Sequence, residues 1–234
     1  MNTFNRILSD KQIKELIDDK IQLESRYNQN HYLQAVSEIS ILYYILRKYN
    51  NKFLYEPKYN GKKNPECCFD YNGKTINIEV KCHDLTKRIE CEEHNTLKIV
   101  MPERIPDYKN VINEVKEIIK PNLNNSNYSD VEELSRLDNK LKDFLVSASE
   151  KFPKSDNTNL NILVVSLDTI DDLDECYLYI FGNGGVFTNN SFVPLERYEN
   201  VDVILLTTVM CGHIRYGMFT ENVRNLEETI NSFF

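Results

Sequence analysis

The sequence contains no apolar run near the roughly 18 residues that a bilayer-crossing helix needs, so a membrane-spanning helix is excluded and no membrane partner is expected. It opens on Met-Asn-Thr-Phe-Asn-Arg, which turns polar at once and does not read as a secretory signal. Six cysteines are scattered without framework spacing, and Cys67 and Cys68 are neighbours that cannot easily pair with each other. A disulfide scaffold is therefore not expected. In a chain of 234 residues the thiols read as reduced, buried small hydrophobes, which predicts a cytoplasmic protein. Internal repeats and low-complexity tracts are also missing. So is an excess of positive charge: the formal net charge of −8 argues against a generic binder of polyanions.

What is present is ordinary for a globular protein, with 41% hydrophobic and 27% charged residues. The length suits a single domain over residues 1–234, carrying an insertion at about 103–130. Charge is unevenly spread. Residues 47–98 hold 11 Lys and Arg against 8 Asp and Glu, so the one locally basic stretch includes the motif described below.

Apolar periodicity predicts a helix over residues 10–26 and a longer one over 31–49, the latter with Tyr32, Ala35, Val36, Ile39, Leu42, Tyr43 and Leu46 on one stripe. Strands are predicted at 52–57, 65–71 and 74–82. Asn72-Gly73 between the last two is the strongest short hairpin signal, since both turn positions favour positive φ. Further along, 96–101 reads as a strand, 108–120 as a helix ending before Pro121, 122–129 as a loop and 130–152 as a helix. The near-continuous hydrophobicity of 161–167 and 201–209 predicts strands buried on both faces. Residues 177–181 and 214–219 read as strands and 221–234 as a closing helix. The order is mixed α/β.

The hairpin carries the chemistry. With a two-residue turn, Tyr71 pairs with Lys74, and counting outward sets Glu66 opposite Glu79, their Cβ atoms about 4.5–5.5 Å apart. Alternation then puts Thr75, Asn77, Glu79 and Lys81 on one face with Glu66, Cys68 and Asp70, and Ile76, Ile78 and Val80 on the other with Cys67, Phe69 and Tyr71. Two facing carboxylates repel unless a cation sits between them. A hard divalent ion such as Mg²⁺ supplies that charge through one or two carboxylates and retained waters. Lys81 emerges beside it, placed to orient a water or to balance charge on a phosphate.

Pro65-Glu66 followed by Glu79-Val80-Lys81, with thirteen positions between the two acids, resembles the PD-(D/E)xK nuclease superfamily over residues 31–82. The resemblance implies a restriction-endonuclease-like fold, a mixed central sheet flanked by helices with a helical insertion and an N-terminal helix. It implies Mg²⁺ (or Mn²⁺) held by Glu66, Glu79 and the main-chain carbonyl of Val80, with Lys81 positioning the attacking water and in-line attack leaving a 5′-phosphate. A Glu on the preceding helix often faces the site in that family, and Glu38, at the edge of the buried stripe, is the matching residue. Helix 130–152 followed by strand 161–167 looks like the family's crossover. The family's first acid is usually Asp, where this chain has Glu66. Asp70 is the alternative claimant, but it pairs with Thr75, away from Lys81. The expected substrate is nucleic acid, most readily DNA, and a homodimer makes geometric sense for double-strand cleavage. The alternative is a catalytically inactive nuclease-like module that binds nucleic acid or protein.

Other features carry less. Cys82, His83, Cys91 and His94 lack zinc-finger spacing. His83 could touch substrate beside Lys81, although a solvated strand end is the plainer reading. Gly182-Asn-Gly-Gly185 opens no predicted helix and reads as a hairpin turn. Asp168, Asp171, Asp172 and Asp174 read as a solvated loop, and His213 has no identifiable partner. Lys52, Lys58, Lys62, Lys63 and Lys74 flank the motif and could meet phosphates.

Overall fold

Asn72 and Gly73 both take positive φ, 46° and 83°, as the two-residue hairpin requires. They join strands Cys67–Tyr71 and Lys74–Cys82 in the predicted register, Tyr71 opposite Lys74 through Cys67 opposite Ile78. In a computed structural model of the chain, the described residues are 4, 7–22, 27–49, 52–59, 63–84, 86–100, 107–134, 137–182, 185–189, 191, 193–208 and 224–233. In chain order the elements are α1 (Asp10–Lys14), α2 (Gln29–Lys48), β1 (Leu54–Tyr55), β2 (Cys67–Tyr71), β3 (Lys74–Cys82), α3 (Thr86–Glu93), β4 (Leu97–Val100), α4 (Tyr108–Ile119), β5 (Val131–Leu134), α5 (Leu137–Lys151), β6 (Asn159–Ser166), α6 (Ile170–Phe181), β7 (Val203–Thr207) and α7 (Arg224–Ser232).

The chain divides into two compact units, Met1–His83 with Lys142–Phe234, and Asp84–Leu141. The first is built on a five-stranded mixed sheet of order β1-β2-β3-β6-β7. The β1–β2 and β2–β3 pairs are antiparallel, and β3–β6 and β6–β7 are parallel. Ile41, Leu42, Ile45 and Leu46 of α2 share one core with Phe69, Ile76, Ile78, Val80, Ile162 and Val164 of the sheet and with Leu226 and Ile230 of α7. Across the sheet the end of α5 covers the other side, where Lys151 bonds Glu79 and Asn161 donates to the Pro153 carbonyl. Asn77 and Glu79 are consequently fully buried, so β3 is covered on both faces as a central strand should be. The second unit pairs β4 with β5 in parallel and contains α3 and α4. The stretch expected as an insertion falls within it.

Several expectations are corrected. Residues 177–181 are the last turns of α6 rather than a strand. Thr169 and Asp172 form a capping box that starts the helix, with Cys176 and Tyr179 on its buried side; capping and burial at helical spacing override the local β preference. That box also turns the acidic cluster into a helix start, with Asp172 buried, and Gly182 is the C-cap of the same helix. Residues 131–134, expected to open a helix, are β5, with Val131 buried and Glu132 exposed in strand alternation; α5 begins at Leu137. The N-terminal helix passes from α into a π-helical turn at Glu15–Ile21 and stops at Gln22, which is left-handed. The first predicted strand shrinks to two residues between Lys52 and Glu56, both at positive φ. Residues 122–129 include the end of a 3-10 turn, Lys120–Asn125. Residues 214–219, His213 and Lys62 lie outside the described residues. Among the described residues no helix is long and apolar enough to cross a membrane.

Candidate active site

The hairpin ladder stops at Cys67 opposite Ile78, and one further step in register brings Glu66 toward Glu79. Glu66 sits just past the strand, its carbonyl accepting from the Glu56 N–H at 3.0 Å. The two carboxylates meet at one ammonium. Lys151 Nζ, from the last residue of α5, lies 2.5 Å from Glu79 Oε1 and 3.8 Å from Glu66 Oε1. Lys81 Nζ is 2.9 Å from the same Glu79 oxygen. Glu79 Oε2 is buried and has no hydrogen-bond partner among the described residues.

Glu38 joins from α2. The ammonium of Lys20, carried by the π-helical turn, bonds Glu38 Oε1 and lies 3.0 Å from Glu66 Oε2, so one cation joins the two carboxyls. The four expected residues, Glu38, Glu66, Glu79 and Lys81, are thus gathered at one end of the sheet, with two lysines that sequence reasoning missed. Both lie on segments whose apolar spacing says nothing of where their charged side chains end. The signal that could have found them was the unbalanced charge itself, since three carboxylates on apolar-patterned elements need cations.

The electrostatics follow from burial and these neighbours. Burial first, then the Glu66 charge, push the Glu38 carboxyl up to about 8 against the pull of Lys20. Burial also works to raise Glu66, but Lys20, the Glu38 hydrogen bond and Lys151 together hold it below the usual carboxylate range. A proton held on Glu38 and donated to ionised Glu66 accounts for both shifts. Burial raises Glu79, and Lys81 and Lys151 only partly offset it. Lys20 stays above its ordinary value because Glu38 and Glu66 outweigh its own burial.

Val80 is placed by the ladder. Thr75 N–H donates to Thr158 O at 2.9 Å, so odd-numbered residues of β3 turn their peptide groups toward β6 and even-numbered ones toward β2. The Val80 carbonyl is therefore aimed at the β2 side, two residues beyond the last β2–β3 pair. Continued register would set Pro65 across from it, and proline has no N–H to give. In that register the Val80 carbonyl would lack a ladder donor, which would suit it to be an oxygen ligand for a hard cation.

Asp70 lies elsewhere. It bonds Lys52 at 2.7 Å and Thr75 at 3.2 Å near the turn. His83 is buried rather than solvated, its carbonyl facing Gln34 Nε2 at 3.5 Å. Cys82 packs against the main core. Of the four residues weighed for zinc, Cys82 and His83 belong to the first unit and Cys91 and His94 to the second. No group of three or more His, Cys, Asp or Glu side chains among the described residues is arranged to hold a metal.

No family model, curated protein or solved structure matches the chain. The fold defines a mixed α/β protein with a mixed central sheet flanked by helices.

Proposed function

We propose that the chain is a metal-dependent endonuclease of restriction-endonuclease-like fold that hydrolyses phosphodiester bonds, in DNA above all. The observation that carries this reading is the convergence of Glu66, Glu79 and Lys81 on one buried point, where Glu79 Oε2 has no partner among the described residues. The donor set fits a hard divalent ion: Glu66, Glu79 and the Val80 carbonyl would hold Mg²⁺ or Mn²⁺. Such an ion supplies Lewis-acid charge at a phosphoryl oxygen and a bound water of lowered pKa. Lys81, half-buried and fixed by Glu79, orients a water and balances charge on the phosphate. Glu38 holds a proton beside Glu66 and is a local acceptor once that proton leaves. Lys63, Lys142 and Arg197, with Asp143 and Glu150, line an open groove of about 340 Å³, and its cations offer contacts to a phosphate backbone. A homodimer would present two such sites to the two strands of a duplex.

The test is cleavage of plasmid and single-stranded DNA in Mg²⁺ or Mn²⁺ and in chelator, with Lys81→Ala alongside. Metal-dependent cutting lost in the variant supports the nuclease and the residues together. Cutting that survives Lys81→Ala refutes the assignment, and inactivity on DNA, RNA and branched substrates refutes catalysis.

A second reading has its own observation. Each carboxylate of the cluster already faces an ammonium, Lys20, Lys81 or Lys151, as in a nuclease-like module that binds nucleic acid or protein without cutting. Salt-sensitive DNA binding with no response to Mn²⁺ distinguishes it.

A further inference from the structure

The three lysines of the cluster are not equivalent. Among the described residues Lys81 pairs with Glu79, from two residues along the same strand. Lys20 serves Glu38 and Glu66 Oε2, with Glu56 farther off at 3.8 Å. Lys151 is the one that stands between the two acids proposed as metal ligands, facing Oε1 of each. Its side chain is only 15% exposed and that of Glu79 is fully buried, so the contact is not a loose surface pairing. A carboxylate pair this buried is unstable without a cation, and α5 ends by delivering one.

We propose that Lys151 is the resident cation of the metal position: in the metal-free protein its ammonium occupies the place between Glu66 and Glu79, and a divalent ion must displace it to bind. This rests on the nuclease reading above. Lys151 is then a competitor of the ion, and without the ion it is the cation that offsets the repulsion between the two carboxylates. Lys81, paired with a single carboxylate among the described residues, has no such role and remains beside Glu79 in either state. The displaced ammonium stays tethered to the end of α5 at the site, free for a phosphate oxygen.

Mn²⁺ affinity of the full chain, measured calorimetrically for wild type, Lys151→Met, Lys81→Met and Glu79→Gln, tests this. Both Met variants remove one positive charge, so a general electrostatic gain is common to both. The proposal expects Lys151→Met to bind Mn²⁺ at least threefold more tightly than Lys81→Met does, and Glu79→Gln to lose binding. Equal gains in the two Met variants, or none in Lys151→Met, overturn it while leaving the metal site standing. Absence of Mn²⁺ binding in wild type and Lys151→Met alike sinks the nuclease reading instead. If Lys151→Met does not fold, amine labelling of the wild-type protein followed by mass spectrometry decides: Lys151 should label several-fold faster with Mn²⁺ present, and an unchanged or slower rate overturns displacement.

Discussion

Lys20 Nζ lies 3.0 Å from Glu66 Oε2, a contact that ties the N-terminal helical segment to the start of the β2–β3 hairpin. The same ammonium bonds Glu38, so one side chain offsets the cost of burying two carboxyls together. Replacing Lys20 by Met takes the ammonium from Glu38 and leaves Glu66 with the more distant Lys151, at 3.8 Å. Breaking a fully buried pair costs about 3–5 kcal/mol. Lys20 is 27% exposed, and solvent screening brings the expectation down to about 1–3 kcal/mol. Urea denaturation should show this loss, larger at pH 8 than at pH 6, where Glu38 can still carry a proton. An unchanged midpoint at both pH values would mean that the contact contributes nothing.

Glu38→Gln isolates the proton. The folded-state value of Glu38 is raised to about 8, above the ordinary unfolded value of about 4.3. The folded chain therefore binds more protons than the unfolded one between those limits, and the stability Glu38 confers is fully present below about pH 4.3 and lost as pH climbs toward 8. Gln holds its hydrogen at every pH. Wild-type stability should fall relative to Glu38→Gln between pH 5 and 8, with a slope of at most about 1.4 kcal/mol per pH unit. Glu66 titrates with Glu38, so the slope belongs to the pair. A flat difference across that range would show Glu38 ionised throughout.

Much of this site was legible in the sequence, and the reason is local. Asn72-Gly73 admits one turn geometry, the turn sets the register, and the register alone brings Glu66 toward Glu79 and aims Ile76, Ile78 and Val80 into the core. The α2 stripe was equally readable from its spacing, and with it the inward position of Glu38. What was not legible depends on distant parts of the chain. Lys151 matters because α5 ends over Glu79, 72 residues away in sequence, and no periodicity encodes where a helix ends in space. Lys20 depends likewise on a π-helical turn. The misread strand at 177–181 shows the converse: Tyr177 to Phe181 favour a strand locally, but the Thr169–Asp172 cap starts a helix that runs through them.

Asn77, one residue pair before Glu79 on the same face of β3, tests what holds that face apart from its charges. It is fully buried, donates to Asn161 Oδ1 at 2.8 Å and accepts from the Tyr59 hydroxyl at 2.6 Å. Asn161 in turn donates to the Asn200 carbonyl at 2.8 Å. Asn77→Ala leaves a buried amide oxygen and a phenol without their partners, at about 1–3 kcal/mol for each group. A total loss of about 2–6 kcal/mol in urea denaturation is expected, with Mn²⁺ affinity of the folded protein unchanged because the described bonds of Asn77 go to Asn161 and Tyr59. A change in affinity with little loss of stability would reverse that assignment and place Asn77 in the ion's surroundings.

Pro65→Ala asks why a proline precedes the first acid. In continued register residue 65 faces Val80, and any residue but proline would offer its N–H to the Val80 carbonyl. Alanine restores the donor, extends the ladder and takes the oxygen proposed as the third metal ligand. Mn²⁺ affinity should fall about three- to tenfold, on the order of 1 kcal/mol, while Glu66 and Glu79 keep their places. Hydrogen exchange supplies the independent check. The amide that the substitution creates at position 65 should be protected in the metal-free protein and should exchange faster once Mn²⁺ is added. If that amide is protected and Mn²⁺ binds as tightly as before, the Val80 carbonyl is no ligand, and two carboxylates with waters must suffice.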